Sequence, residues 1–224
     1  MQERGDEVVK FINEKFGEEF FNGGIKIPGR YEKYQYEEFY LRFRALAITI
    51  KHLFNPTRVL DVGCAKGFLV KAFEDIGVHA WGVDVSEYAI SKAPKEIKSK
   101  LYRVDLNKDY LPFKDEYFDF VTFLGTIEYL DNHEHAINEI KRVLKRGGGL
   151  YLTTIFRRCP EDKIRINVHD RKYWIKEFES SGFRFEPQKT NNIIKNWFKN
   201  MTSHLKLEKS SVKKVDILVK IFFC

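Results

Sequence analysis

The run Asp61-Val62-Gly63-Cys64-Ala65-Lys66-Gly67 sets an acid and three small residues at alternate positions, directly after apolar Val59 and Leu60. A short buried strand entering a turn of small residues lets a ligand come close to bare backbone. Phe68-Leu69-Val70 and Ala72-Phe73 then supply an apolar helical face. The free N–H groups at that helix start favour a carboxylate or phosphate. Nucleotide-type binding is the chemistry expected, and spacing excludes two common forms of it. A dinucleotide turn wants glycine at its first, third and sixth positions; here they are Gly63, Ala65 and Phe68, and the bulk of Phe68 blocks the last requirement. A Walker loop needs Gly-Lys-Ser/Thr, whereas Gly67 is followed by Phe68.

Further acids follow in order. His79 to Ser86 reads as a second strand with Asp84 at its C-terminal tip. An acid about 20 residues beyond such a turn can accept hydrogen bonds from ribose hydroxyls. Ser86 then reads as the cap of the next helix, with Glu87 in its first turn. A short strand, Leu101 to Val104, leads to Asp105. Tyr117 to Leu124 is nearly continuous apolar sequence opening on Gly125-Thr126-Ile127-Glu128-Tyr129, as expected of a parallel strand covered on both faces.

This series resembles motif I and the strand-end acids of the class I S-adenosylmethionine (SAM)-dependent methyltransferases, of the small-molecule "type 11"-like kind. Ala65 stands where the pattern Asp/Glu-x-Gly-x-Gly-x-Gly has its middle glycine. The resemblance spans residues 30 to 188 and is most specific over 57 to 128. It implies an α/β fold: a Rossmann-like, doubly wound, mostly parallel sheet of seven strands with an N-terminal helical cap. It implies SAM as cofactor and S-adenosyl-L-homocysteine as product. The positions it assigns to cofactor binding are Asp61, Gly63, Cys64, Ala65, Gly67, Asp84, Val85, Asp105, Leu106, Leu124 and Gly125. In the family the acid matching Asp105 holds the adenine amino group.

Methyl transfer from a sulfonium is an in-line displacement, for which the protein chiefly holds acceptor and methyl close and aligned. A neutral hydroxyl or amine acceptor also loses a proton, and His is the usual base near neutral pH. His169 is the first candidate, in a stretch (Ile166 to Gly182) resembling the acceptor-pocket border of small-molecule methyltransferases. Glu128, with Tyr129, lies just past the fourth strand. Tyr34, with Tyr31 and Tyr36, is expected to line the cap, so the catalytic candidates are His169, Glu128 and Tyr34. His133 and His135 read as solvent-facing. The chain lacks the Asn/Asp-Pro-Pro-Tyr/Phe of amino-methylating DNA enzymes, the Pro-Cys of cytosine-C5 enzymes and the paired-glutamate loop of protein arginine enzymes. A small-molecule acceptor methylated at oxygen or nitrogen is the first reading. An RNA or protein acceptor, and a non-catalytic SAM-binding protein, remain as alternatives; a NAD-dependent oxidoreductase is disfavoured by Phe68.

The elements that must position these residues fall into three stretches. Residues 1–55 read as a helical cap, with Val8, Val9, Phe11, Ile12 and Phe16 at helical spacing, a Gly23 to Gly29 connector, and a helix through Phe39, Phe43, Leu46, Ala47, Ile50 and Leu53. Residues 56–188 read as the α/β core. Within it a helix is expected from Asp131 to Arg146, stopped by Gly147-Gly148-Gly149, before a fifth strand from Leu150 to Ile155. Asp170 reads as N-cap of a helix over Arg171 to Ser180, and Phe183-Arg184-Phe185 as a strand. Residues 189–224 form a lysine-rich segment, in which Ile217 to Phe223 reads as a final antiparallel strand or an exposed end.

The 224 residues carry a net charge of +7 and are 43% hydrophobic, enough for one α/β domain with a sizeable core. The charge is local: Lys189 to Cys224 holds eight Lys and two acids, leaving residues 1–188 at about +1. A body-wide phosphate-tracking surface is therefore not expected, so nucleic acid is a possible but unfavoured partner. No stretch approaches the roughly 18 apolar residues of a membrane span. The charged N-terminus does not read as a signal peptide, and Cys64, Cys159 and Cys224 show no metal spacing. A cytoplasmic, reduced protein is the expectation.

Overall fold

The computed structural model describes residues 15–23, 34–157, 162, 164–204 and 219–223. Expectations for Val8 to Ile12, most of the Gly23 to Gly29 connector, Tyr31 and Cys159 lie outside them. The elements in chain order are α1 (Glu18–Asn22), α2 (Tyr36–Phe54), β1 (Arg58–Val62), α3 (Phe68–Glu74), β2 (His79–Asp84), α4 (Glu87–Ser91) and β3 (Leu101–Arg103). Then come β4 (Phe118–Leu124), α5 (His133–Val143), β5 (Leu144–Thr154), α6 (Arg171–Ser180), α7 (Pro187–His204) and β6 (Val219–Phe223).

The sheet order is β3-β2-β1-β4-β5-β6. Strands β1 to β5 are parallel, and β6 runs antiparallel on β5, pairing Leu150 with Phe223 and Thr154 with Val219. This is the expected doubly wound Rossmann-like class, with six strands among the described residues. Strand order reverses between β1 and β4, which opens a crevice beyond their carboxyl ends. Alternating side chains feed two cores. Leu60, Val62, Val121 and Phe123 meet Ile137, Ile140, Trp174 and Phe178 on one face. Val59 and Phe120 meet Ala47, Ile50, Leu69, Phe73, Ile193 and Trp197 on the other. No helix of the described residues is long and apolar enough to cross a membrane.

Two boundaries differ from expectation. The helix begins at His133 and stops at Val143, and Lys145 to Gly149 belong to β5. The amides of Glu116 and Tyr117 bond the carbonyls of Arg142 and Val143 at 2.9 and 2.8 Å. These bonds take up helix-end acceptors and draw Leu144 into the extended region at ψ 133°. The glycines serve an irregularity instead: register shifts from Phe118↔Leu144 to Phe120↔Gly149, and a Cβ on Gly148 would lie 2.9 Å from the Lys145 carbonyl. Phe183 to Phe185 is likewise no strand; only Phe185 makes a single bridge before α7 begins.

The lysine-rich stretch starts as structure. Helix α7 lies on α2, with Trp197 Nε1 donating to the Arg42 carbonyl at 3.1 Å and Asn200 Nδ2 to Thr49 Oγ1 at 2.8 Å. Its buried Ile193 and Trp197 complete the core on that face. Part of the expected cap, α2, is thus also a layer of the α/β body.

Candidate functional site

The carboxyl ends of β1 to β4 bring the expected cofactor residues to one edge of the sheet. Val62 lies beside Val83 on one side and Phe123 on the other, so Gly63, Asp84 and Leu124 emerge together. The turn after β1 is held by backbone bonds: Gly63 and Cys64 amides bond the Val83 carbonyl of β2 at 2.8 and 3.0 Å, and Gly67 N–H bonds the Cys64 carbonyl. Gly63, Ala65 and Gly67 all take positive φ, at 76°, 50° and 71°. A side chain is excluded at Gly63 by Thr126, and at Gly67 it is disfavoured by the positive φ, with side-chain ends close by. A Cβ on Gly63 would fall 2.0 Å from Thr126 Oγ1, and one on Gly67 2.6 Å from Ile97 Cδ1. Gly125, at φ 60°, would meet only Glu128 Oε1 at 3.7 Å.

Buried acids hold this edge. Asp61 accepts from Thr122 Oγ1 at 2.7 Å. Burial pushes its carboxyl up to about 7 against that bond, and the Asp84 charge adds to the rise. Asp84 accepts the Ala65 amide at 2.7 Å and the Ser86 amide at 2.8 Å, with burial again raising its pKa. Ser86 caps α4 by accepting the Ala89 amide, as expected. Asp105 accepts from Asn107 N and Nδ2 at 3.1 Å and lies 3.4 Å from Lys108. Asn107 Oδ1 in turn accepts the amides of Asp131 and Asn132, tying the loop after β3 to the one after β4. Val85 is half-buried and its carbonyl receives Arg103 Nε; Leu106 lies in the core. Cys64 is buried with its thiol pKa raised, chiefly by burial, so it packs as a neutral apolar group.

Glu128 occupies the corner beside Gly125. It is 1% exposed, and Thr154 Oγ1 donates to its Oε2 at 3.1 Å. Burial raises its pKa from 4.5 to about 7. Its carbonyl accepts the amides of Ile166 and Asn167 at 2.9 and 3.0 Å, which brings the segment carrying His169 to this corner. Behind it Arg165 pairs with Asp162 at 3.1 Å and donates to the Tyr129 hydroxyl at 3.3 Å.

His169 stacks on Tyr173 at 3.8 Å and meets the edge of Trp174 at 5.5 Å. Burial and nearby His133 lower its pKa. Asp170 caps α6 by accepting the Tyr173 amide at 2.8 Å. His133, expected to face solvent, is instead half-buried, 3.7 Å from Glu177 and 3.4 Å from the Tyr173 hydroxyl, because α6 lies against the start of α5. His135 is half-buried too, its Nε2 3.1 Å from the Asp109 carbonyl. Tyr34 is buried, stacked on Phe68 at 4.9 Å, and its carbonyl accepts from Lys66 Nζ at 2.9 Å. The structure gathers Glu128 and the 166–169 segment at one corner and sets Tyr34 in the aromatic cap.

A helical cap was expected from residues 1–55, but its contacts with Tyr129 and Ser86 were not. Phe16 and Phe20 meet Tyr129 edge-on at 5.7 and 5.8 Å, and the Phe16 carbonyl accepts Ser86 Oγ. With Phe21, Tyr34, Phe39 and Phe68 they form an apolar cluster that includes Ala65 at its margin. The segment thus bridges the loops after β2 and β4. The adjacent Phe20-Phe21 pair was the available signal; Lys66, Thr126 and the Arg165–Asp162 pair carried none.

The methyltransferase-domain family model matches residues 60–152. The chain is 33% identical over 107 residues to a ubiquinone biosynthesis O-methyltransferase of Dechloromonas aromatica, covering 45% of each. It is 29% identical over 191 residues to protein MJ1252 of Methanocaldococcus jannaschii, covering 85% of this chain and 62% of that one. It therefore spans about half to two thirds of these relatives' lengths. The PH0226 protein from Pyrococcus horikoshii OT3 shares the fold at TM-score 0.55 and 24% identity, covering 67% of this chain and 84% of that one. A SAM-dependent methyltransferase from Aquifex aeolicus does so at 0.53 and 18%, covering 69% and 91%. The glycine turn and the strand-end acids Asp61, Asp84 and Asp105 all lie inside the stretch that matches, so residues 60–152 are a methyltransferase domain.

Proposed function

We propose that the protein is a SAM-dependent methyltransferase whose acceptor is a small molecule, methylated at oxygen or nitrogen. The observation that carries this reading is the crevice at the β1/β4 reversal, where the Gly63–Gly67 turn, Asp84, Asp105 and Gly125 share one edge. In open α/β sheets ligands bind there. The residues present fit the cofactor: positive-φ turn residues, strand-tip acids for its polar groups, and open space at Gly125. Bound there, SAM supplies an electrophilic methyl group.

Two groups suit proton removal from a neutral acceptor. Glu128 has a pKa of about 7, near the value that serves a base at neutral pH, and it adjoins Gly125. His169, whose pKa is lowered by burial and by nearby His133, lies on the segment bonded to Glu128. Tyr34 belongs to the cap wall, where aromatic surface excludes water. The O-methyltransferase name of the Dechloromonas relative supports a small-molecule acceptor.

The test is incubation with methyl-labelled SAM and fractionated cell extract. Label is expected in a low-molecular-weight product, with Glu128→Gln slowing turnover while leaving SAM affinity within a few-fold. Label in RNA or protein would overturn the acceptor class; label in nothing, with SAM bound, would leave a non-catalytic SAM-binding protein.

A further inference from the structure

A second feature lies at the seam between cap and core. A basin of about 690 Å³ is walled by Lys66 and Phe68 after β1, Tyr88, Lys92 and Lys95 from α4 and the residues after it, and Tyr36 at the start of α2. That volume is in the range of small-molecule sites. None of the expected cofactor residues lines it.

Its charge is unbalanced where it is most buried. Lys66 is only 8% exposed, yet among the described residues its ammonium, with three donors, bonds only the neutral Tyr34 carbonyl. The rings of Phe21 and Tyr88 lie 5.9 and 6.0 Å from Nζ. Among the described residues no carboxylate pairs with Lys66, Lys92 or Lys95; the rim acids Glu37 and Glu96 are exposed, and Lys71 is already paired with Asp75. A buried ammonium without a counter-charge is costly. Here a like charge, Lys92, adds to the cost, partly offset by Glu18. A bound anion removes the penalty.

We infer that this basin binds the phosphate group of a small molecule through Lys66, Lys92 and Lys95. Because Lys66 already bridges the cofactor turn to Tyr34, the bound anion clamps the aromatic cap onto that turn. The inference does not rest on methyl transfer: Lys66 belongs to the Gly63–Gly67 turn, but none of the residues expected to bind the cofactor lines the basin.

The test is calorimetric titration of the full chain, at low salt and without SAM, using inorganic phosphate, pyrophosphate and glycerol 3-phosphate. Saturable single-site binding is expected, weakened at least about tenfold by Lys92→Glu/Lys95→Glu, whose side chains are exposed and so spare the fold. Lys66→Met is expected to weaken it further, and Lys172→Ala on α6 to leave it unchanged. Ligand is also expected to slow amide exchange across residues 34–43. Tighter binding of glycerol 3-phosphate than of inorganic phosphate assigns the phosphate to an organic body; the reverse assigns it to a free ion. Absence of saturable binding by all three probes, or binding indifferent to the Lys92/Lys95 change, overturns the inference.

Discussion

The Asp84 carboxylate accepts the backbone N–H of Ala65 at 2.7 Å. The acid at the tip of β2 therefore shapes the glycine turn from within, at the one turn position whose positive φ is borne by a side-chain-bearing residue. Losing a bond to a buried charged acceptor costs about 1–3 kcal/mol. Asp84→Ala is expected to lower stability by that order and SAM affinity by at least about tenfold, while Asp84→Asn, which keeps one acceptor oxygen, loses less. Thermal melts and SAM titrations check both; wild-type SAM affinity in Asp84→Ala would contradict the assignment.

The turn's two kinds of small residue are expected to respond in opposite directions. Ala65 sits at φ 50°, so Ala65→Gly relieves left-handed strain and is expected to add about 1 kcal/mol of stability. Gly63→Ala drives a Cβ to 2.0 Å from Thr126 Oγ1 and 2.8 Å from Thr126 Cβ. It is expected to cost more than about 2 kcal/mol, with Thr126→Ala restoring only part, because φ strain and the Cβ contact remain. Urea melts of the three variants measure this.

Glu128 makes stability depend on pH. Its folded pKa of about 7 lies above the ordinary 4.5, so the folded state binds the proton more tightly across that window. Stability from this group is full below the window and falls as pH rises through it, by about 3 kcal/mol in all. Asp61, also at about 7, adds a fall of the same sign. Glu128→Gln is expected to flatten the decline between about pH 5 and pH 8 without abolishing it. An unchanged slope in denaturant melts would remove the buried-carboxyl account.

The β1 turn, the strand-end acids and the caps at Ser86 and Asp170 were legible because each is a local pattern: buried strand, small-residue turn, polar cap. The end of α5 was not. Gly147 to Gly149 has the composition of a helix stop, but the stop is imposed at Val143 by the amides of Glu116 and Tyr117, from a distant part of the chain. His133 was misjudged for the same reason, since α6 supplies Glu177 and Tyr173 from across the fold. The strand-end glycines were legible as small, though the neighbour that requires Gly63, Thr126, was not.

The lysine-rich segment carries packing as well as charge. Trp197 is 9% exposed and bonded to the Arg42 carbonyl. Trp197→Ala is expected to cost about 3–5 kcal/mol and to loosen α2 together with α7. Hydrogen exchange that rises in both helices supports this; exchange rising in α7 alone would contradict it.

The central claim, that SAM occupies the crevice where β1 and β4 diverge, is tested most directly by titrating SAM into the wild type and into Gly63→Ala. Saturable micromolar binding to the wild type, lost in the variant, is the result expected. Absence of SAM binding by the wild type, or equal binding by both, would contradict it.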